Sequence, residues 1–134
     1  MTRTFNKVMD ENSDKDKVNR AAIRALQGWQ YLISKAYNRQ LVRYNDLAGI
    51  MGYKKNRPLN PILGHIMYYC EQESLPPLTI IVVNRDGKPG KGFTQVPRAE
   101  FDHQREKTFD FPWFSIYPPN PEQFTTAWDA AHTR

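Results

Sequence analysis

Residues 43–65 read RYNDLAGIMGYKKNRPLNPILGH and contain two short helical segments separated by a basic turn. Asn45 is a residue type that caps helices, and Gly52 is placed to end the first segment. The pair Asn60-Pro61 predicts the start of the next helix, because a proline at the first helical position lacks only an N–H that has no helical partner there. We expect that helix to stop before the proline pair at 76–77.

The segments on either side of this pair of helices predict one more helix before it and a strand with a turn after it. Apolar residues recur at the helical spacing over residues 17–38, which predicts one long helix. Residues 78–83 read LTIIVV, a β-branched run that predicts a strand, and the NRDG of residues 84–87 predicts a turn. The glycine-rich residues 88–93 would return as a short second strand or loop. This order predicts an α/β, mostly α, winged helix-turn-helix with a short β wing.

The C-terminal third carries a different composition. A helix is predicted near residues 98–107, an aromatic segment FDFPWF follows at 109–114, and a last helix is predicted over 122–131 after a proline-rich turn. We therefore divide the chain into a flexible N-terminal segment (1–17), a winged-helix domain (18–93) and an aromatic-rich C-terminal helical extension packed on it (94–134).

Charge is distributed unevenly along the 134 residues, which carry a net charge of +5. Residues 18–93 hold 11 Lys and Arg against 4 Asp and Glu, whereas residues 94–134 hold 4 against 6. A basic body with a slightly acidic tail is typical of a protein that binds a polyanion. The alternative is that these charges only keep a small domain soluble.

Several functional classes are not supported by the composition. No apolar run is long enough to span a membrane, so we expect no membrane partner. A single cysteine, Cys70, cannot form an internal disulfide, which favours a reducing, cytoplasmic location. No His, Cys or Asp cluster has metal-ligand spacing and no phosphate-binding glycine motif occurs, so no metal and no cofactor are expected.

Three segments resemble one family. The RYNDLA of residues 43–48, the ILG of residues 62–64 and the IIVVNRDG of residues 80–87 occur in the order found in the DNA-binding half of the alkylguanine-DNA alkyltransferases and the related alkyltransferase-like proteins. The similarity covers roughly residues 20–93. It implies a winged-helix fold, double-stranded DNA as the partner, and a connection with DNA repair in a bacterial or phage setting.

Two positions depart from the family pattern. The resemblance places Thr79 where the family has its acceptor cysteine and Ile80 where it has the following histidine. A threonine hydroxyl without a neighbouring base is a poor nucleophile, so no alkyl transfer and no other enzyme activity is expected. The family's nucleotide-flipping arginine falls near Pro61, with Arg57 as the nearest basic residue. Alkyltransferase-like proteins, which lack the cysteine and still bind modified bases, are the closer analogue.

The candidate contacts with DNA come from the motif, the basic turn and the wing. Tyr44 would line a base pocket by stacking, or would be a half-buried aromatic at a helix start with its hydroxyl satisfied. The cations would contact phosphates, or would be solvated loop charges. The residues assigned to DNA binding are Tyr44, Lys54, Lys55, Arg57, Asn60, His65, Arg85, Lys88 and Lys91.

The aromatic tail supports an alternative function of a different class. It either packs onto the winged helix or exposes a surface for a protein partner. In the second case the fold would serve as an interaction or regulatory subunit, for example in bacterial or phage defence. The aromatic residues concerned are Phe109, Phe111, Trp113, Phe114, Tyr117 and Trp128.

Overall fold

The computed structural model describes residues 17–133, with the side chains of residues 20–133. Except for Lys17, the predicted flexible N-terminal segment lies outside the described residues. The elements in chain order are α1 (Lys17–Tyr37), β1 (Val42–Arg43), α2 (Tyr44–Ile50), α3 (Leu59–Gln72), β2 (Val82–Val83), α4 (Phe101–Asp110) and α5 (Pro121–His132). Short 3-10 helices precede β2 (Leu78–Ile81) and α4 (Arg98–Glu100), and a third lies at Trp113–Ser115.

The predicted helices are present, but three of them start at other residues: α2, α3 and the helix predicted near residues 98–107, which begins as a 3-10 helix and continues as α4 from Phe101 to Asp110. Helix α2 begins at Tyr44 and is preceded by Arg43 at the cap position, so the predicted cap at Asn45 is wrong. Helix α3 begins at Leu59, which leaves Pro61 inside its first turn. A proline is tolerated there because the first N–H groups of a helix have no helical acceptor. Gly52 ends the α2 region with φ of +82°, a conformation that favours glycine.

Trp29 of α1 lies at the centre of the core. Its ring packs against Tyr69 of α3 at 5.6 Å, against Trp113 at 5.5 Å and against Phe124 of α5 at 6.1 Å between centroids. Trp113 is also anchored by its indole N–H, which donates to the Thr108 carbonyl at 2.7 Å. Residues from the C-terminal third therefore share one core with α1 and α3.

The predicted strand over residues 78–83 forms only at its end. Residues 78–81 adopt a 3-10 helix, in which the Ile80 N–H donates to the Pro77 carbonyl at 2.9 Å. Every residue of the run is buried, so it lacks the alternation that distinguishes a half-buried strand from other buried conformations. Only Val82–Val83 pairs, in parallel, with β1, an element that the sequence did not predict.

The β wing is not confirmed. The predicted turn is present, because the Asn84 N–H donates to the Lys88 carbonyl at 2.9 Å and Gly87 has φ of +78°. Residues 88–93 do not return as a strand. The described chain is mostly helical with one small parallel sheet of two strands.

Candidate nucleic-acid interface

A cavity of about 300 Å³ lies between the start of α2, the first half of α3 and the loop after β2. We call it the Tyr44 cavity; its lining includes Tyr44, Asn60, Met67, Thr79, Lys91 and Phe93. A second, open space of about 630 Å³ shares Tyr44, Asn56 and Asn84 with it. We call this space the outer cleft; its lining also includes Arg43, Asp46 and Arg85.

The parallel strand pair positions Tyr44 between the two spaces. Arg43 pairs with Val83, so the next residue, Tyr44, begins α2 beside the loop that follows β2. Its Oη accepts the Gly90 N–H at 2.8 Å, and a Cβ atom at position 90 would stand only 3.0 Å from that oxygen. Burial raises the pKa of Tyr44, and the Gly90 N–H opposes that shift. The hydroxyl therefore stays protonated at neutral pH while its ring lines the cavity.

Thr79 contributes to the wall of the Tyr44 cavity. The residue is 5% exposed, and its Oγ1 is buried without a hydrogen-bond partner. Buried Thr108 differs, because its Oγ1 donates to the Gln104 carbonyl at 2.9 Å. A buried hydroxyl without a partner is unfavourable and uncommon in folded proteins.

Four of the nine predicted DNA contacts line these two spaces. Tyr44, Asn60 and Lys91 line the cavity, and Arg85 lines the outer cleft. The basic turn borders both spaces through Asn56, which lies in the chain between two exposed cations. The two cations that flank Asn56 are Lys55 and Arg57, and Lys54 precedes them in the same exposed turn. Lys88 is exposed but lines a separate, smaller cavity beside α4.

His65 does not face this surface. It is 4% exposed, its ring stacks on Trp128 at 4.4 Å between centroids, and Nδ1 lies 2.6 Å from the Pro61 carbonyl oxygen. Burial lowers the pKa of His65. The predicted contact of His65 with DNA is therefore inconsistent with the structure, because the ring is enclosed between α3 and α5.

Cys70 is fully buried among apolar residues, and burial raises the pKa of its thiol to about 12. A thiol in this state is neither accessible nor ionised, which agrees with its predicted place in the core. Within residues 17–133 no group of three or more His, Cys, Asp or Glu side chains could hold a metal ion.

Sequence reasoning missed Asn56 and Asn84, which line both spaces, and the contribution of Thr79 to the cavity. Asn84 directly precedes the turn, so its position next to the motif was the available signal. Thr79 was considered only as a lost nucleophile. Its burial depends on the 3-10 helix of residues 78–81, which the apolar run does not reveal.

Comparison of this chain with protein-family models, with curated proteins and with solved structures finds no match. None of the helices described between residues 17 and 133 is long and apolar enough to cross a membrane. The two spaces and the cations around them are therefore interpreted on their own chemistry.

Proposed function

We propose that this chain binds double-stranded DNA without changing it covalently. The observation that supports the proposal most is the pairing of the Tyr44 cavity with an exposed basic border. Arg43 and Arg85 line the outer cleft and Lys91 lines the cavity itself. Such a border suits the phosphate backbone, whose contacts supply most of the affinity of sequence-independent binding.

The charges at the border differ from that of Arg39, an exposed cation elsewhere on the molecule that is paired with two carboxylates. Its partners, Glu106 and Asp110 of α4, neutralise it. In the described chain, Asp46 is the one carboxylate that lines the outer cleft, and none lines the cavity. The border thus keeps a positive field toward solvent, which favours approach of a polyanion.

The chemistry of the cavity supports binding without catalysis. Thr79 Oγ1 has no hydrogen-bond partner, so no base is placed to take its proton. Cys70 is buried away from both spaces. The resemblance to alkyltransferase-like proteins adds the expectation that a base turned out of the duplex, a modified base included, enters the Tyr44 cavity.

The proposal is tested by measuring duplex affinity at several salt concentrations. We expect the affinity to fall steeply as the salt concentration rises. Replacement of Lys54, Lys55 and Arg57 by Ala should reduce the slope of log affinity against log salt by roughly two to three, at about 0.9 per phosphate contact. The matched control replaces Lys35, Arg98 and Lys107, which lie outside the turn that contributes Asn56 to both spaces; it should leave the slope unchanged. Absence of duplex binding by the wild type would overturn the proposal, and an unchanged slope in the test variant would remove the basic turn from the interface.

A second candidate function is binding of a protein partner through exposed aromatic side chains. Phe114 is 62% exposed and Tyr117 is 95% exposed, and Phe114 contacts Tyr37 edge to face at 5.8 Å. Trp113 belongs to the core and does not contribute to this surface. Stable co-purification of a partner that is lost in Phe114→Ser and Tyr117→Ser, together with no affinity for DNA, would favour this function over the first.

A further inference from the structure

We propose that Tyr44 is a positioning residue of the interface. Its hydroxyl holds the glycine-rich loop of residues 88–92, which we call the Gly90 loop, and through this loop it sets the contact of Lys91 with a phosphate of the bound duplex. This inference rests on the proposed binding of double-stranded DNA. It goes further by giving the hydroxyl of Tyr44 a role that is separate from any stacking of its ring.

The first support is that the Gly90 loop has few other attachments. Its residues are exposed or half-buried and belong to no helix or strand, and only the next residue, Phe93, is buried. In the described chain, one hydrogen bond joins the loop to a residue outside 84–93. It is the bond that the Gly90 N–H donates to Tyr44 Oη at 2.8 Å. Loss of this bond would leave the middle of the loop without a polar contact to the rest of the protein.

The second support is the closeness of the two groups. A Cβ atom at position 90 would lie 3.0 Å from Tyr44 Oη and 3.4 Å from Cζ, so a side chain there would push the loop and the ring apart by a few tenths of an ångström. Gly92 of the same loop differs, because an added Cβ atom would meet no atom within 4 Å. The close approach therefore belongs to the contact of Tyr44 with Gly90 and not to the loop as a whole.

The third support is the cation that the loop carries. Lys91 follows Gly90 in the chain, is exposed, and lines the Tyr44 cavity together with Tyr44. A loop that is ordered only when DNA binds loses conformational entropy at that step, and this loss reduces the affinity. A loop that is already fixed to Tyr44 avoids the loss, so the hydroxyl increases the affinity without touching the DNA.

The inference is tested by a double-mutant cycle between Tyr44→Phe, which removes the hydroxyl and keeps the ring, and Lys91→Ala. The matched cycle pairs Tyr44→Phe with Lys55→Ala, because Lys55 lies in the basic turn and not on the Gly90 loop. The affinity for one plain duplex is measured for every variant at one salt concentration. Losses of affinity multiply when two residues act independently, and they do not when one residue acts through the other.

We expect Tyr44→Phe to weaken binding roughly two- to tenfold, which is the range for one hydrogen bond. The loss caused by Lys91→Ala should be smaller in the Tyr44→Phe background than in the wild type by roughly twofold or more, while Lys55→Ala should cause the same loss in both. Independent losses for Tyr44→Phe and Lys91→Ala overturn the inference. A Lys91→Ala variant that binds as tightly as the wild type also overturns it.

A second pair of variants repeats the test without altering Tyr44. Gly90→Ala should weaken duplex binding and Gly92→Ala should not, because only the first crowds the hydroxyl. Equal affinities of these two variants contradict the inference.

Hydrogen exchange of the Gly90 amide, measured without DNA, separates the inference from the proposed function. We expect the exchange to be roughly two- to tenfold faster in Tyr44→Phe than in the wild type. An unchanged exchange rate together with salt-dependent binding of the duplex removes the positioning role and leaves the proposed function standing. Faster exchange together with no binding of any duplex shows that the hydroxyl holds the loop, but it removes the proposed function and with it the role in DNA binding.

Discussion

Thr79 and Thr108 are two buried threonines with opposite hydrogen-bonding states, and this contrast can be measured as stability. Thr79→Val removes a hydroxyl without a partner, whereas Thr108→Val removes one that donates to the Gln104 carbonyl. We expect Thr79→Val to leave the free energy of unfolding unchanged or to raise it by about 1 kcal/mol, and Thr108→Val to lower it by about 1 kcal/mol. Urea unfolding of both variants measures the difference. A loss of stability in Thr79→Val as large as that in Thr108→Val would mean that Thr79 Oγ1 is paired in the folded protein.

Gly64 of α3 lies directly against the side chain of Trp128 of α5. A Cβ atom there would lie 2.7 Å from Cζ3 of Trp128, whose ring is held between His65 and His132. Gly49 of α2 has no atom within 4 Å of an added Cβ, so it serves as the control. We expect Gly64→Ala to be less stable than Gly49→Ala by about 1–3 kcal/mol, because overpacking moves the indole ring. Equal thermal unfolding of the two variants would show that Trp128 is free to shift.

At the scale of elements, the sequence predicted helices better than it predicted the sheet. Helix α1 is specified by the spacing of its own apolar residues, and helix α5 by the cap residue Asn120 next to its first turn. Both signals lie within or beside the helix that they specify. The pairing of β1 with β2 joins residues about forty positions apart. Each strand has only two residues, which is too short for the alternation of buried and exposed residues that identifies a strand in a sequence. For the same reason Tyr44 and Asn60 could be singled out from their local sequence, while the contact of Tyr44 with Gly90 could not.

The packing of α3 on α5 predicts that the stability of the fold depends on pH. His65 is buried against Trp128, and Tyr68, Asp129 and His132 are the other titratable groups around this stack. Burial lowers the pKa of His65 below its usual value of 6.5, although Asp129 opposes the shift. The unfolded chain therefore binds more protons than the folded chain as the pH falls through this range, so the contribution of His65 to stability is complete above about pH 6.5 and is lost below it.

We expect the free energy of unfolding to fall when the pH is lowered from about 7.5 to about 5, and the fall to be smaller in His65→Gln. Glutamine does not titrate and keeps an amide donor for the Pro61 carbonyl, which the imidazole contacts at 2.6 Å. His103→Gln is the control, since His103 is exposed on α4. Denaturant unfolding at the two pH values measures the change. The same pH dependence in the wild type and His65→Gln would assign the effect to other groups.

At the scale of the whole molecule, the boundary near residue 93 that the composition suggests does not separate two hydrophobic cores. The excess of basic over acidic residues and the family resemblance end near residue 93, but Trp29 packs against Trp113 and Phe124 from beyond that point. The acidic C-terminal third thus completes the core on one side of α1 and α3, while the basic border surrounds the Tyr44 cavity. Charge segregation along the chain separates a basic part from an acidic part, and it does not indicate which part folds alone.

Removal of the C-terminal third tests this separation of charge from core. In a chain that ends at residue 93, Trp29 keeps Tyr69 as a partner and loses the rings of Trp113 and Phe124. Each lost aromatic contact is comparable to a large-to-small core substitution, which costs about 3–5 kcal/mol, and two such losses approach the whole stability of an ordinary domain. We therefore expect the shortened chain to show no cooperative thermal unfolding and no near-ultraviolet circular dichroism. A chain shortened only by residues 133–134 should match the full chain, because Thr133 is exposed. Cooperative unfolding of residues 1–93 alone would instead establish the predicted domain 18–93 as an independent unit with the C-terminal third as an accessory.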